Sequence, residues 1–599
     1  MKNILNAIFL CFLALSSIAQ SKKQKNDALL SDLDTLFNRI LKDQVAAGFS
    51  VAVVKGDEVI YSKGFGYRDV ENKKPVTPNT LFAIGSSSKA FTGSLLGLLR
   101  RDGKLTFEDK AVSLLPQLHF FNEEMNSQII LRDLMAHRTG LSRYDFSWLL
   151  FNTANRDSII ARVKYMKPSA AVREKWFYNN FMYLAQGMIV ERLTGKSWEQ
   201  NIKEKFFIPL EMNRSNTDIK VFKQDSDAAL PYTVVKGNEI KKVDYYNING
   251  MGPAGSINSS ANDMANWLKV WVSGGFFKKK EILPTDYVRE AASSQMVMSA
   301  DLPAAHDDIF LANYGLGWMI GSYRGHYLVE HGGNINGFSA NVAFFPSDQL
   351  GIVVLSNQNG SQVPAVVRNS IVDRLLNLKA IDWNGEAIAK TRAGMQVNKG
   401  VKSAPVLNTK PSHPLQDYVG SFENPAYGII KITFEKNDLY TMLSDEKVVL
   451  KHMHYDVFDP KSIDKNGVVD TAQSNLMFNF SSGIDGKIQG VGIFLDGSDK
   501  PVMFDFKPEA KILSLKELQK YTGEYVLGQA TVKIYIKGNT LMVFVPGQPE
   551  YETIASEADT FSLKALKGFS VKFNIDAEKQ VNSVSFIQPN GAFKAVKKK

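Results

Sequence analysis

The stretch FAIGSSSKAFTGSLLGLL, residues 82–99, decides how the rest of the chain is read. A Gly-Ser turn leads straight into an apolar run that suits a buried helix. Ser86 and Lys89 stand three residues apart at its start. Residues i and i+3 share a helix face, so the amine reaches the hydroxyl. Serine is a weak nucleophile until a base takes its proton, and a lysine is such a base only where burial or a nearby cation lowers its pKa. A helix N-terminus beside Ser86 also favours the oxyanion of an acyl-transfer intermediate. The four-residue pattern S-x-x-K alone carries little. It recurs at Ser444/Lys447 and Ser462/Lys465, in polar stretches that read as solvated turns.

Working outward, residues 28–45 carry Leu29, Leu30, Leu33, Leu36, Phe37, Ile40 and Leu41 at helical spacing. Phe49-Ser-Val-Ala-Val-Val, the turn Gly56-Asp57 and Glu58-Val-Ile-Tyr-Ser read as a hairpin. A second hairpin is expected at Asn341-Val-Ala-Phe-Phe, Pro346-Ser-Asp and Gly351-Ile-Val-Val-Leu, followed by an amphipathic helix carrying Val366, Val367, Ile371, Leu375 and Leu376. Two hairpins flanking a mostly helical middle predict an α/β domain over residues 28–380, its antiparallel sheet closed by both ends of the segment and flanked by helices and a helical subdomain. Residues 381–411 read as a linker, because the segment from 385 onward lacks periodicity and contains Gly, Lys, Ser, Asn and Pro. Beyond it come short alternating strands. Leu415-Gln-Asp-Tyr-Val-Gly-Ser-Phe matches Leu518-Gln-Lys-Tyr-Thr-Gly-Glu-Tyr, and Lys431–Asn437 matches Lys533–Asn539. This weak repeat predicts two small all-β, barrel-like domains, residues 412–508 and 512–599.

Two further elements carry chemistry. Tyr178 and Asn180 form Y-x-N just before the apolar run FMYLAQGMIV, residues 181–190. Tyr245-Tyr246-Asn247 fits the same pattern in a Gly/Asn loop and reads as a substrate-loop element or as chance. Then Glu330-His331-Gly332-Gly333-Asn334 precedes the late hairpin. Two glycines on an edge strand let a ligand's backbone approach closely. Taken alone, His331 reads as a turn or surface histidine.

In this order and these contexts, the three elements resemble the serine β-lactamase and penicillin-binding-protein superfamily, above all its class C β-lactamase-like serine hydrolases, which include D-aminopeptidases and esterases. The likeness covers roughly residues 28–380 and extends to LRDLMAHRTGL (131–141), PAGSINSSANDM (253–264) and YGLGW (314–318). It implies Ser86 as the acylated nucleophile, Lys89 as its proton partner and Tyr178 as second general base or proton shuttle. It implies Asn180 on the substrate's amide, and an oxyanion hole from the backbone N–H groups of Ser86 and Asn334, beside Gly332 and Gly333. His331 takes the place of the lysine in the family's K-T-G element. A histidine is mostly neutral at pH 7 unless its pKa is raised, which implies the esterase and peptidase side of the family. His137 is implied to be structural. The C-terminal region resembles the lipocalin-like β domains that trail such hydrolases.

Composition sets the outer limits. The 599 residues are 44% hydrophobic and 22% charged, a globular balance that argues against a mainly disordered chain or a polytopic membrane protein. The net charge of +10 is mild for this length. The opening MKNILNAIFLCFLALSSIAQ reads as a signal peptide, residues 1–20, with Lys2 before an apolar run from Ile4 to Leu15 and small residues ahead of the cut. The one cysteine, Cys11, lies within it. The chain is therefore expected to be periplasmic or secreted, without a transmembrane anchor after cleavage. No P-loop or GxGxxG is present, basic residues are not interleaved with aromatics, and His452 and His454 share a strand face without a third ligand. No cofactor, metal or nucleic acid is expected, and the oligomeric state is not legible. The expected function is an exported serine hydrolase acting through an acyl-enzyme on short peptides, D-residues included, or on small esters. The alternatives are β-lactamase or penicillin-binding activity, and a non-catalytic envelope scaffold, against which the intact Ser86/Lys89/Tyr178 set argues.

Overall fold

The two hairpins meet in one sheet. The computed structural model describes residues 29–598 apart from 152, 236, 400–405, 445, 464–466, 471–473, 475, 497–499, 509–510, 558, 567, 577 and 589–590. The expected leader and Lys465 lie outside the described residues. The sheet's strands are β1 (Gly48–Lys55), β2 (Glu58–Asp69), β3 (Lys74–Pro75), β4 (Met296–Ser299), β5 (Ile309–Tyr314), β6 (Met319–Tyr323), β7 (His326–Ile335), β8 (Phe338–Phe345) and β9 (Leu350–Ser356). Their order is β4-β5-β6-β7-β8-β9-β1-β2-β3. β1 pairs antiparallel with both β2 and β9, so the early and late hairpins close a single sheet, as expected.

Helices α1 (Leu33–Asp43), α2 (Ser88–Arg101), α3 (Asn180–Thr194), α4 (Ala261–Val272), α5 (Val363–Leu375) and α6 (Trp383–Lys399) pack on this sheet or on one another. Every residue of β8 and β9 is buried, because both sheet faces are covered. On one face Phe37 and Ile40 of α1 and Val367 and Ile371 of α5 enclose Val51, Val53, Ile352 and Val354. On the other face α4 lies against β1 and β9. Burying each such side chain contributes about 1.5–3 kcal/mol. Helix α2 is buried all round from Ser88 to Leu99. Its Phe91 stacks on Trp267 of α4 with centroids 3.9 Å apart.

The expected linker at 381–411 needs correction at its start, where α6 forms. Trp383 is buried and donates its indole N–H to Asp373 (2.9 Å). Asn384 donates to Asp43 (2.8 Å) and accepts from Gln44 (3.0 Å). These long-range anchors fix a helix that the segment's own weak pattern does not announce.

The chain divides into two units, residues 1–403 with 425–427, and residues 404–424 with 428–599. The second unit holds two closed eight-stranded barrels. In the first barrel Tyr418 packs on Phe458 and Phe480 and donates its hydroxyl to Asp456. In the second, Tyr521 packs on Phe561 and Phe573 and donates to Asp559. The tyrosines, the carboxylates and the first phenylalanines all recur at a spacing of 103 residues, the same offset as the sequence repeat. No described helix is long and apolar enough to cross a membrane.

Candidate active site

Ser86 is the middle residue of a single 3-10 turn, Gly85–Ser87, that runs directly into α2. Helix starts leave their first backbone N–H groups unpaired. Gly85 makes the turn with φ +51°, and a Cβ there would come within 2.9 Å of the Asn334 nitrogen. A Cβ on Gly333 would lie 1.9 Å from the Ile84 carbonyl oxygen and 3.3 Å from the Ser86 nitrogen. Gly333 is therefore required by the turn that holds Ser86. At Gly332 the nearest atom would be 3.7 Å away, so that side is open. Ser87 ties the turn to β7 by donating to the His331 carbonyl (3.0 Å). β7 pairs with β6 only as far as Glu330 but with β8 as far as Ile335. From His331 onward it thus has the open edge that the two glycines suggest, although the strand lies inside the sheet.

Lys89 is fully buried and donates to Asn180 Oδ1 (2.7 Å) and the Ala254 carbonyl (2.8 Å), with Nζ 3.2 Å from Ser86 Oγ. Burial holds its amine well below the usual lysine range; Asp145 opposes the shift and Arg143 adds to it. A neutral amine has two hydrogens and one lone pair. With the hydrogens on Asn180 and Ala254, the lone pair faces Ser86 Oγ.

Asn180 opens α3, with Asn179 as its cap accepting from the Phe181 N–H (2.9 Å). Its Nδ2 donates to Asp145 Oδ1 (2.8 Å), which also accepts from the Trp148 indole (3.0 Å). Asp145 Oδ2 accepts from Arg143 Nε (2.6 Å). Arg143, Asp145, Asn180 and Lys89 thus form one chain of polar contacts. Each end of the Asn180 amide has a partner in the protein, and each keeps a further donor or acceptor site.

The ring centroid of Tyr178 lies 4.7 Å from Lys89 Nζ and 4.8 Å from Arg143 Cζ. Its hydroxyl is buried and makes no hydrogen bond of good geometry among the described residues. Burial pushes its pKa well above the usual tyrosine value, against smaller opposing effects of Ser86 and Arg143. Burial thus favours the neutral form of both groups, an amine that can accept a proton and a phenol that can give one.

His331 is buried. Its Nε2 lies 3.0 Å from the Tyr314 hydroxyl and its Nδ1 2.6 Å from the Gly332 carbonyl. A carbonyl only accepts, so Nδ1 carries the hydrogen and Nε2 accepts from the tyrosine. Burial, with Lys89 adding to it, pushes the pKa down to about 3. The position of the family's lysine thus holds a neutral ring with both nitrogens committed to the protein. His137 packs behind Tyr178, centroids 4.4 Å apart, and accepts from the Asn179 N–H (3.2 Å). Burial holds it well below the usual histidine value.

Beside Gly85 and the β7–β8 turn is a small pocket, lined in part by Ala83, Ile219, Tyr245, Ile248 and Phe338. Ser256 Oγ and Asn249 Oδ1, on residues that also line it, have no hydrogen-bond partner among the described residues. Tyr245 belongs to the second Y-x-N. Sequence reasoning missed Arg143, Asp145, Ala254 and Tyr314. The last two lie in stretches that match the family's texture, whereas nothing in Arg-Tyr-Asp, 143–145, marks it as part of a site. Among the described residues no group of three or more His, Cys, Asp or Glu could hold a metal.

A family model described as Beta-lactamase matches residues 33–376, and one described as a domain of unknown function (DUF3471) matches residues 404–508. The unguisins hydrolase ungD' of Aspergillus campestris is 27% identical over 80% of this chain and 91% of its own length. Protein flp of Staphylococcus aureus strain MW2 is 26% identical over 56% of this chain; the match spans 65% of flp, just under two thirds. The structure of an octameric penicillin-binding protein homologue from Pyrococcus abyssi superposes with a TM-score of 0.52 at 20% identity, covering 79% of this chain and 99% of that one, which is a likeness of fold.

Proposed function

The chain belongs to the beta-lactamase family of serine hydrolases, and we propose that it hydrolyses short peptides or esters through a covalent acyl-enzyme on Ser86. The observation that carries this reading is the Lys89 amine, buried, with two fixed acceptors and its third contact on Ser86 Oγ. As Ser86 Oγ bonds to the substrate's carbonyl carbon, its proton passes to Lys89. The oxyanion gathers at the helix start and the β7 edge, where N–H groups developing no new charge of their own stabilise it. Tyr178 is placed to protonate the leaving amine or alcohol as its bond to carbon breaks. Water then attacks the Ser86 ester and gives a proton to the Tyr178 phenolate; as the ester bond breaks, Lys89 returns its proton to Ser86 Oγ and the acyl group leaves as an acid. A relative named as an unguisins hydrolase, matched over most of both chains, supports hydrolysis as the reaction.

The test is intact-mass detection of a fluorophosphonate adduct on Ser86, followed by a screen of D- and L-aminoacyl amides, short-chain aryl esters and a chromogenic cephalosporin. No adduct at Ser86 would overturn the reading. Export is part of the proposal, supported by the Lys2 and Ile4–Leu15 pattern. N-terminal sequencing of the protein outside the cytoplasm should begin near Gln20 or Ser21.

A further inference from the structure

We propose that Arg143 is the anion-docking residue of this site, receiving a negatively charged group, such as a carboxylate, on the leaving-group side of the substrate. The inference rests on the acyl-enzyme reading above and names a residue that no motif contains. The family's lysine position is filled by His331, a buried neutral ring whose two nitrogens are both engaged. Lys89 is fully buried, with two fixed acceptors and its third contact on Ser86 Oγ. Neither offers a charge to a ligand. Arg143 does: it carries a guanidinium charge and its side chain is 54% exposed. It lies over the face of Tyr178, the group placed to protonate the leaving atom, with Cζ 4.8 Å from the ring centroid.

The guanidinium is also held in place. Nε and Nη2 both contact Asp145 Oδ2 at 2.6 Å. The other oxygen of Asp145 is fixed by Asn180 and Trp148. Nη1 makes no hydrogen bond to a described residue. A fork whose one edge is anchored and whose other edge is open matches the two oxygens of a carboxylate, and little side-chain order is lost on binding.

The experiment compares kcat/KM for two esters of one acyl group, a phenyl ester and its meta-carboxyphenyl counterpart, in the intact wild type, R143Q and R143K. The ratio of carboxylate-bearing to neutral substrate should fall about tenfold or more in R143Q, equivalent to about 1.4 kcal/mol. R143K should restore part of it, and added salt should lower the wild-type ratio. A structural role alone would depress both esters together. A ratio unchanged by R143Q overturns the docking role. Fluorophosphonate labelling of Ser86 is followed in the same samples. Labelling with an unchanged ratio defeats the docking proposal alone, whereas an unlabelled wild type defeats the acyl-enzyme reading beneath it.

Discussion

Ser86–Lys89 and Ser444–Lys447 are the same four-residue pattern in two parts of the molecule. Lys89 has no exposed surface, and its amine is surrounded by Ser86, Asn180 and Ala254. Lys447 stands on a barrel strand with its side chain 46% exposed, paired with Glu435 at 2.7 Å and lying over Tyr440 at 4.6 Å. Ser444 is in the hairpin turn before that strand, at φ +56°. The spacing is shared but the solvent is not. Solvent and a carboxylate surround one lysine, while burial lowers the pKa of the other. The surroundings of the motif, not its spacing, set the two apart.

The largest expected effect separates the two serines. Ser86→Ala should lower kcat by roughly 10³-fold or more, as when a nucleophile is removed, while Ser444→Ala leaves turnover unchanged. Comparable losses from both would dissolve the distinction. Next come the lysines. Lys89→Arg replaces a base with a group that is not deprotonated in proteins, and kcat/KM should fall about 10²–10⁴-fold, the usual worth of general base catalysis. Lys447→Arg should have no effect on the same assay.

The third prediction sets buried against exposed titration. His331 binds its proton only near pH 3 in the folded chain but near 6.5 when unfolded. Between those values the unfolded state holds more protons, so stability drops as pH falls from 6.5 toward 3. The loss from this residue is on the order of 3–5 kcal/mol. All seven tryptophans, from Trp148 to Trp383, lie in the first unit. Urea unfolding followed by their fluorescence at pH 7, 5 and 4 therefore reports that unit, and His331→Gln should flatten the slope. An equal slope in both proteins would assign the acid sensitivity to other groups. The smallest effect belongs to the barrels. Tyr521→Phe removes a hydroxyl bonded to Asp559 (2.6 Å) and should cost about 0.5–1.5 kcal/mol. Hydrogen exchange should quicken in strands of that barrel, and Tyr418→Phe should do the same in the first.

The sequence by itself determined what depends on near neighbours. Alternation and turns placed the hairpins around Val51 and Val353, the apolar run after Ser86 announced α2, and the offset between Tyr418 and Tyr521 announced two copies of one barrel. These signals are local because hydrophobic period and turn chemistry act over a few residues. Tertiary structure decided which groups surround Lys89. Ala254 and Asn180 reach it from 165 and 91 residues away along the chain, and no local pattern encodes such a meeting. The same holds for Arg143 over Tyr178, for Trp383 anchoring a helix where a linker was expected, and for Gly333, whose missing side chain is demanded by the Ile84 carbonyl. A pKa is set by everything within a few ångströms, whatever its position in the chain. The residue types of the Ser86/Lys89 pair could therefore be read in order along the sequence, but the packing alone lowered the pKa of its amine.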